Sequence, residues 1–336
     1  MEICERRDAK GLYKKALDGG IRDFTGISSA YEEPAYPDIV ADTDKNRAAY
    51  WIRHIFGYAL DLQNDYCKMT KKLIYISLFA GRKIMRIYKG EFDVAYKDDK
   101  SPLTIADRQS NKYIVDKLRQ YYPAYAVLSE EEKDNADRLK NRYCFIVDPL
   151  DGTKEFIKKN GEFTVNIALS YRGKSILGVV YAPAMKKLFY CAPGYGSYRM
   201  DIGCEGTVSV KDDIFDEAFR INVSGNTEKL TVMTSRSHSG EDLHRLLEKN
   251  KEKIGSAVQS GSSLKGCLIA AGEADVYYRT GPTMEWDTAA MQAIVEGAGG
   301  VFRQGDGTAM RYNRKDTRNV KGFYILNKIE NRFEEA

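Results

Sequence analysis

The run Tyr143-Cys144-Phe145-Ile146-Val147 passes directly into Asp148-Pro149-Leu150-Asp151-Gly152-Thr153. An apolar stretch of this length and residue type predicts a buried strand. Ending a buried strand in two aspartates is costly unless something at its tip takes up their charge. Proline fixes the backbone between the two carboxylates, so Asp148 and Asp151 can converge. The amides of Gly152 and Thr153 then open toward an anion at the start of a helix. Carboxylates beside an anion cradle suit a divalent cation that holds a phosphate.

The rest of the chain narrows the chemistry. With 336 residues, length alone suggests about two domains, and a hydrophobic fraction of 43% supports a large core. A net charge of +4 is too small to argue for nucleic acid or an anionic membrane as partner. The six cysteines are scattered without a Cys-x-x-Cys pair, as in a reduced, cytoplasmic protein. Only His54, His238 and His244 are present, which excludes a histidine-rich metal site. No apolar run approaches the roughly 20 residues that span a bilayer, and the first residues carry no hydrophobic signal region.

Residues 1–64 are rich in charge and turn formers, and Glu32-Glu33-Pro34-Ala35-Tyr36-Pro37 reads as an extended linker. Apolar spacing predicts one helix over about 45–62 and a second over about 66–88. A polar loop from Asp99 to Asp107 leads into a helix ending near Tyr122. Short strands follow at Ala126–Leu128 and Cys144–Val147. Thr164–Ser170 and Ser175–Tyr181 form a hairpin around Arg172-Gly173-Lys174, and Leu188–Cys191 extends it. The C-terminal part predicts strands at Leu230–Thr234 and Asp275–Tyr278. Its helices fall near 240–250, from Gly261-Ser262-Ser263 to Ala271, and over Trp286–Glu296. Mixed in this order, the elements imply an α+β layered sandwich rather than a parallel βαβ series.

Four places deliver carboxylates at element ends: Asp107, Glu130 after Ala126–Leu128, the pair Asp148 and Asp151, and Asp287 in Trp286-Asp287-Thr288-Ala289-Ala290. Taken singly, each has a plainer reading. Asp287 could be a helix-start carboxylate, Glu130 part of a solvated Glu130-Glu131-Glu132 run, Asp107 a cap, and the Asp-Pro-Leu-Asp-Gly-Thr segment a tight turn. Brought together without a cation they would repel and raise one another's pKa. Oxygen-only ligation favours Mg²⁺ over zinc.

These motifs resemble the lithium-sensitive, Mg²⁺-dependent phosphatases related to inositol monophosphatase. Within them, Asp151 to Leu169, Ile176 to Pro183, Ser235-Arg236-Ser237-His238 and Gly261-Ser262-Ser263-Leu264-Lys265 are similar to the bacterial 3'(2'),5'-bisphosphate nucleotidases of the CysQ type. The resemblance covers about residues 66–328. It implies an αβαβα sandwich of the inositol monophosphatase and sugar phosphatase type, with a metal-binding part over about 65–212 and a nucleotide-binding part over about 213–330. It implies two or three Mg²⁺ ions held by Glu130, Asp148, the Leu150 carbonyl, Asp151 and Asp287. Asp107 and Thr153 would polarise the attacking water, and Gly152 and Thr153 would cradle the scissile phosphate. Gly261, Ser262 and Lys265 would face the nucleotide, with Lys265 near its second phosphate, and Ser235 and His238 would meet its purine or ribose.

Residues 1–64 resemble the C-terminal part of adenylylsulfate kinase, through Cys4 to Ala16, Phe24-Thr25-Gly26-Ile27 and Tyr31-Glu32-Glu33-Pro34. The Gly-x-x-x-x-Gly-Lys-[Ser/Thr] phosphate loop is absent from the sequence, so no kinase activity is expected. This segment reads as the tail of a kinase–phosphatase fusion, or of a truncated one, and implies a functional link to that kinase. Both resemblances point to a small-molecule sulfate-pathway nucleotide as substrate: 3'-phosphoadenosine 5'-phosphate, and also 3'-phosphoadenylylsulfate. The alternatives are an inositol or sugar monophosphatase, and a sulfate-nucleotide-binding adaptor without catalysis.

Overall fold

The computed structural model describes residues 5–30, 39–41, 48–90, 94–96, 102–203, 218–235 and 240–334. The chain divides into two compact units, Met1–Asn64 and Asp65–Ala336. In the first, a short helix Leu12–Leu17 starts where the Asp8 carboxylate accepts from the amides of Leu12 and Lys14 at 2.8 and 3.0 Å. The rings of Tyr13 and Phe24 meet edge to face. The Tyr31–Pro34 segment lies outside the described residues.

The two helices expected over 45–62 and 66–88 are one helix, Ala48–Tyr88. Gln63-Asn64-Asp65 contains neither proline nor a glycine stop, so nothing ends the first helix before the second begins. Its later turns bury Leu73, Ile74, Ile76, Ala80 and Ile84, whereas Ile52 and Ile55 are exposed.

The larger sheet of the second unit has seven strands whose spatial order follows the chain: Ala126–Ser129, Tyr143–Asp151, Thr164–Tyr171, Lys174–Ala182, Lys187–Ala192, Gly196–Asp201 and Phe219–Ile221. The first pair is parallel and the rest an antiparallel meander. The expected hairpin closes through Arg172 and Gly173, both at positive φ (48° and 78°), as a two-residue primed turn requires. The last two strands are invisible to pattern reading because one mixes glycine with charge and the other has three residues. The smaller sheet runs in the order Ile254–Ser260, Leu230–Ser235, Val276–Arg279, Phe323–Leu326, Val301–Gln304, its first three strands parallel.

Three hydrophobic clusters hold five layers together, the largest of them reaching both faces of the central helix layer. The part of helix Ala48–Tyr88 that belongs to the second unit and helix Ile105–Tyr121 cover one face of the large sheet through Leu73, Ile114, Phe145 and Val165. Helices Leu264–Ala270 and Glu285–Gly297 fill the space between the sheets, packing Met291, Ile294 and Cys267 against Ile146, Val180 and Ile325. Helix Glu241–Lys249 closes the far side through Leu243 and Leu246. The result is the expected αβαβα sandwich. Gly178 allows the central helix to approach the large sheet closely, since a Cβ there would overlap the Ala290 carbonyl.

Candidate active site

The strand Tyr143–Asp151 carries the opening motif within it rather than ending before it. Asp148 pairs with Asn166 and Asp151 with Thr164, so Pro149 and Leu150 together face one residue of the partner strand. That bulge decides the geometry. Residues three apart on a regular strand point to opposite faces, and one extra residue returns Asp151 to the face of Asp148. Proline is tolerated there because a bulge needs no ladder N–H from it. Gly152 then turns the chain at φ 90° into the short helix Thr153–Ile157, where a Cβ would lie 3.2 Å from the Glu162 carbonyl.

Asp107 is not in the loop but is the third residue of helix Ile105–Tyr121. Its Oδ2 accepts from the Thr104 amide at 2.7 Å and from the Thr104 hydroxyl at 2.6 Å, and its Oδ1 from the Thr153 hydroxyl at 3.2 Å. Asp287 occupies the same place in helix Glu285–Gly297 and accepts from the Met284 amide at 2.7 Å. The start of that helix is anchored from behind. The buried Glu285 carboxylate accepts from the Asn313 amide at 2.6 Å and the Arg314 amide at 3.0 Å, and Asn319 donates to the Met284 carbonyl at 2.8 Å.

A cleft of about 250 Å³ brings together Glu130, Asp151, Gly152, Thr153 and Asp287 with Ser235, Gly261, Ser262 and Lys265. Of the neighbouring acids Glu130 lines it and Glu131 does not. Asp148 and Leu150 are buried beneath the acidic side, and Asp107 lies behind Thr153. His238 lies outside the described residues. Ser262 adopts φ 45° and its carbonyl accepts from Lys265 Nζ at 2.7 Å, while that ammonium stands 5.5 Å over the Tyr277 ring.

Sequence reasoning missed three participants. Arg279, at the end of a small-sheet strand, lines the cleft, and its buried Nε has no hydrogen-bond partner among the described residues. Ser263 donates its amide and hydroxyl to Asp151 Oδ2 at 2.7 and 2.8 Å, and Asn166 donates to the same oxygen at 3.2 Å. The signal for Asn166 was present: Thr164 and Asn166 alternate as polar residues just before the apolar run Ile167-Ala168-Leu169 of the same strand.

Burial pushes Asp148 well above the usual carboxylate range, and the charges of Glu130, Asp151 and Asp287 push it further. Burial, then Asp151, raises Asp287 to about 8. Asp151 is also raised by burial, against the pull of Ser263 and Lys265. Burial lowers Lys265 to about 8 although Asp151 opposes the shift. Four carboxylates and a carbonyl are hard oxygen donors with an unbalanced charge, and they fit Mg²⁺ by kind. Among the described residues no three acids stand together as a finished coordination shell.

The sequence pattern of the inositol monophosphatase family matches residues 66–329. That of adenylylsulphate kinase matches residues 1–42, a shorter span than the 64 residues expected. A 3'(2'),5'-bisphosphate nucleotidase CysQ of Salmonella typhimurium is 38% identical over 261 residues, 76% of this chain and 99% of that protein. A nucleotidase of the same name from Buchnera aphidicola is 40% identical over 255 residues, 75% and 90% of the two chains. The crystal structure of CysQ from Bacteroides thetaiotaomicron, described as a bacterial member of the inositol monophosphatase family, is similar with a TM-score of 0.69 at 37% identity, covering 80% of this chain and 99% of its own.

Proposed function

The chain belongs to the inositol monophosphatase family, and on that premise we propose that it is a 3'(2'),5'-bisphosphate nucleotidase. Its reaction is hydrolysis of the 3'-phosphate of 3'-phosphoadenosine 5'-phosphate to AMP and inorganic phosphate, and 3'-phosphoadenylylsulfate is a second substrate. The observation that carries this reading is a cleft lined by the acids Glu130, Asp151 and Asp287 and also by two cations, Lys265 and Arg279. A bisphosphate needs a second anion site away from the reacting phosphate, and an inositol monophosphate does not.

In this reading Glu130, Asp148, the Leu150 carbonyl, Asp151 and Asp287 hold two or three Mg²⁺ ions. When bound, Mg²⁺ supplies charge neutralisation at the phosphate and at the leaving ribose oxygen. The Thr153 hydroxyl donates to Asp107 and so keeps a lone pair to accept from the attacking water. Burial raises Asp107 above an ordinary carboxylate, which makes it the better proton acceptor behind Thr153. The amides of Gly152 and Thr153 cradle the scissile phosphate. Lys265 and Arg279 take the 5'-phosphate, and Ser235, His238, Gly261 and Ser262 border the nucleoside. Removing the Arg279 side chain should raise KM for the bisphosphate about ten- to hundredfold. KM for adenosine 3'-monophosphate should stay unchanged in the same steady-state assay.

Residues 1–64 form in this reading a kinase-like segment without phosphoryl transfer, and residues 65–330 the nucleotidase. The match over residues 1–42 supports a functional link to adenylylsulphate kinase and a sulfate-pathway substrate. Cytoplasmic location belongs to the same reading. Among the described residues no helix is long and apolar enough to cross a membrane. A substrate panel with Mg²⁺ tests the assignment: faster turnover of inositol 1-phosphate than of 3'-phosphoadenosine 5'-phosphate would overturn it.

A further inference from the structure

The acid Asp151 and the turn Gly261–Ser263 meet in an arrangement that the reaction chemistry alone does not require. Asp151 Oδ2 is saturated by the chain: Ser263 N at 2.7 Å, Ser263 Oγ at 2.8 Å and Asn166 Nδ2 at 3.2 Å all donate to it. Asn166 Nδ2 also donates to Ser263 Oγ at 2.9 Å, and the Thr164 hydroxyl donates to Asn166 Oδ1 at 2.9 Å, which holds the amide in this orientation. Ser263 Oγ lies 3.0 Å from the Asp287 carbonyl as well. No described residue donates to Asp151 Oδ1. One oxygen of the carboxylate is therefore locked and the other offered to the cleft. Ser263 and Asn166 are both buried, so water does not replace these donors.

The residue that locks Asp151 sits between two that face the substrate side. Ser262 lines the cleft, and Lys265 donates to the Ser262 carbonyl at 2.7 Å. A nucleotide that settles against Ser262 and Lys265 therefore acts on the same turn that orients Asp151.

We propose that Ser263, assisted by Asn166, is a positioning residue that couples nucleotide binding to cation binding through Asp151. This rests on the reading of Asp151 as a Mg²⁺ ligand. Each ligand raises the affinity of the other, and by linkage the two enhancement factors are equal.

The test measures binding rather than turnover, on the full chain. Mn²⁺ affinity is read from the paramagnetic signal of the free ion with and without AMP, and AMP affinity by calorimetry with and without Mg²⁺. Ser263→Ala should weaken Mn²⁺ binding about tenfold and bring the enhancement factor close to one. Ser263→Thr keeps the hydroxyl and should restore both, and Asn166→Ala should fall between. Wild-type Mn²⁺ affinity and an undiminished factor in Ser263→Ala overturn the proposal, as does independent binding of the two ligands to the wild type. If Ser263→Ala does not fold, Asn166→Ala decides by the same two readings. Asp151→Asn separates the layers of the argument. Unchanged Mn²⁺ affinity there removes the ligand assignment itself, whereas lost affinity there with none lost in Ser263→Ala removes only the coupling.

Discussion

Helices Ile105–Tyr121 and Glu285–Gly297 begin alike and end up electrostatically different. Each places an aspartate at its third position, and each aspartate accepts from the amide before the helix at 2.7 Å. Asp107 gains two more donors, the hydroxyls of Thr104 and Thr153. Asp287 gains none among the described residues, because Met284 stands where Thr104 does, and burial, reinforced by the neighbouring acids Asp151 and Glu130, raises it to about 8. One local rule thus yields an acid satisfied by the chain and an acid left beside other acids, which the proposed function assigns to a cation. A capping position states where a carboxylate will be; its tertiary neighbours state what it is for.

The sharpest way to break this comparison is to neutralise each acid in turn. Asp107→Asn should lower kcat by about 10²–10⁴ and leave Mg²⁺ affinity within about threefold of wild type. Asp287→Asn should lower activity at least as far and weaken Mg²⁺ binding as well. Equal loss of Mg²⁺ affinity in both variants, measured by calorimetry, would erase the distinction.

A smaller effect follows from pH. The folded pKa values of Asp148, Asp151 and Asp287 lie above the ordinary carboxylate value. Groups raised in this way contribute stability that is complete below about pH 4 and is lost as pH rises through the folded pKa, about 8 for Asp287. The Tm of the metal-free protein should therefore fall between pH 6 and 8.5. Mg²⁺ binds the deprotonated acids, so the Tm increase it produces should be larger at pH 8.5 than at pH 6. A Mg²⁺-induced shift that shrinks with pH would contradict the assignment of these acids to the cation. Asp287→Asn should flatten the metal-free slope, and Asp107→Asn should flatten it less.

The smallest effect separates capping from chemistry. Thr104→Val removes a hydroxyl that accepts from Ala106 and donates to Asp107. It should cost about 1 kcal/mol in denaturant unfolding and reduce kcat with Mg²⁺ affinity unchanged. Met284→Val at the corresponding position removes no capping hydroxyl and should cost less, by the same unfolding measurement.

Much of the fold was legible because it rests on local signals. The buried strand before Asp148, the hairpin at Arg172-Gly173 and the helix after Trp286 each follow from apolar runs and turn residues a few positions apart. Strands Ile254–Ser260 and Gly196–Asp201 were not legible, since the first is largely exposed and the second carries glycine and charge. The first pairs with Leu230–Ser235 across an intervening helix, and the second folds back on Lys187–Ala192 through the turn at 193–195. The acids of the site could be named from their motifs, but the donors that hold them could not. Ser263 is distant in sequence from Asp151, and Arg279 resembles any arginine at the end of a strand until it is seen lining the cleft.

The sequence by itself named the candidates that line or underlie the cleft: the two aspartates of the Asp148–Thr153 segment, Asp287 before its small residues, and the Gly261–Lys265 turn. It did so because residue type and spacing set donor chemistry locally. Only the tertiary structure decided how those residues act together. The bulge between Asp148 and Asp151 returns both to one face through pairing with Asn166 and Thr164. The sandwich then carries Ser263 to Asp151 and leaves Asp287 beside other acids. Burial and distance set a carboxylate's charge and orientation, and both are properties of the packed molecule.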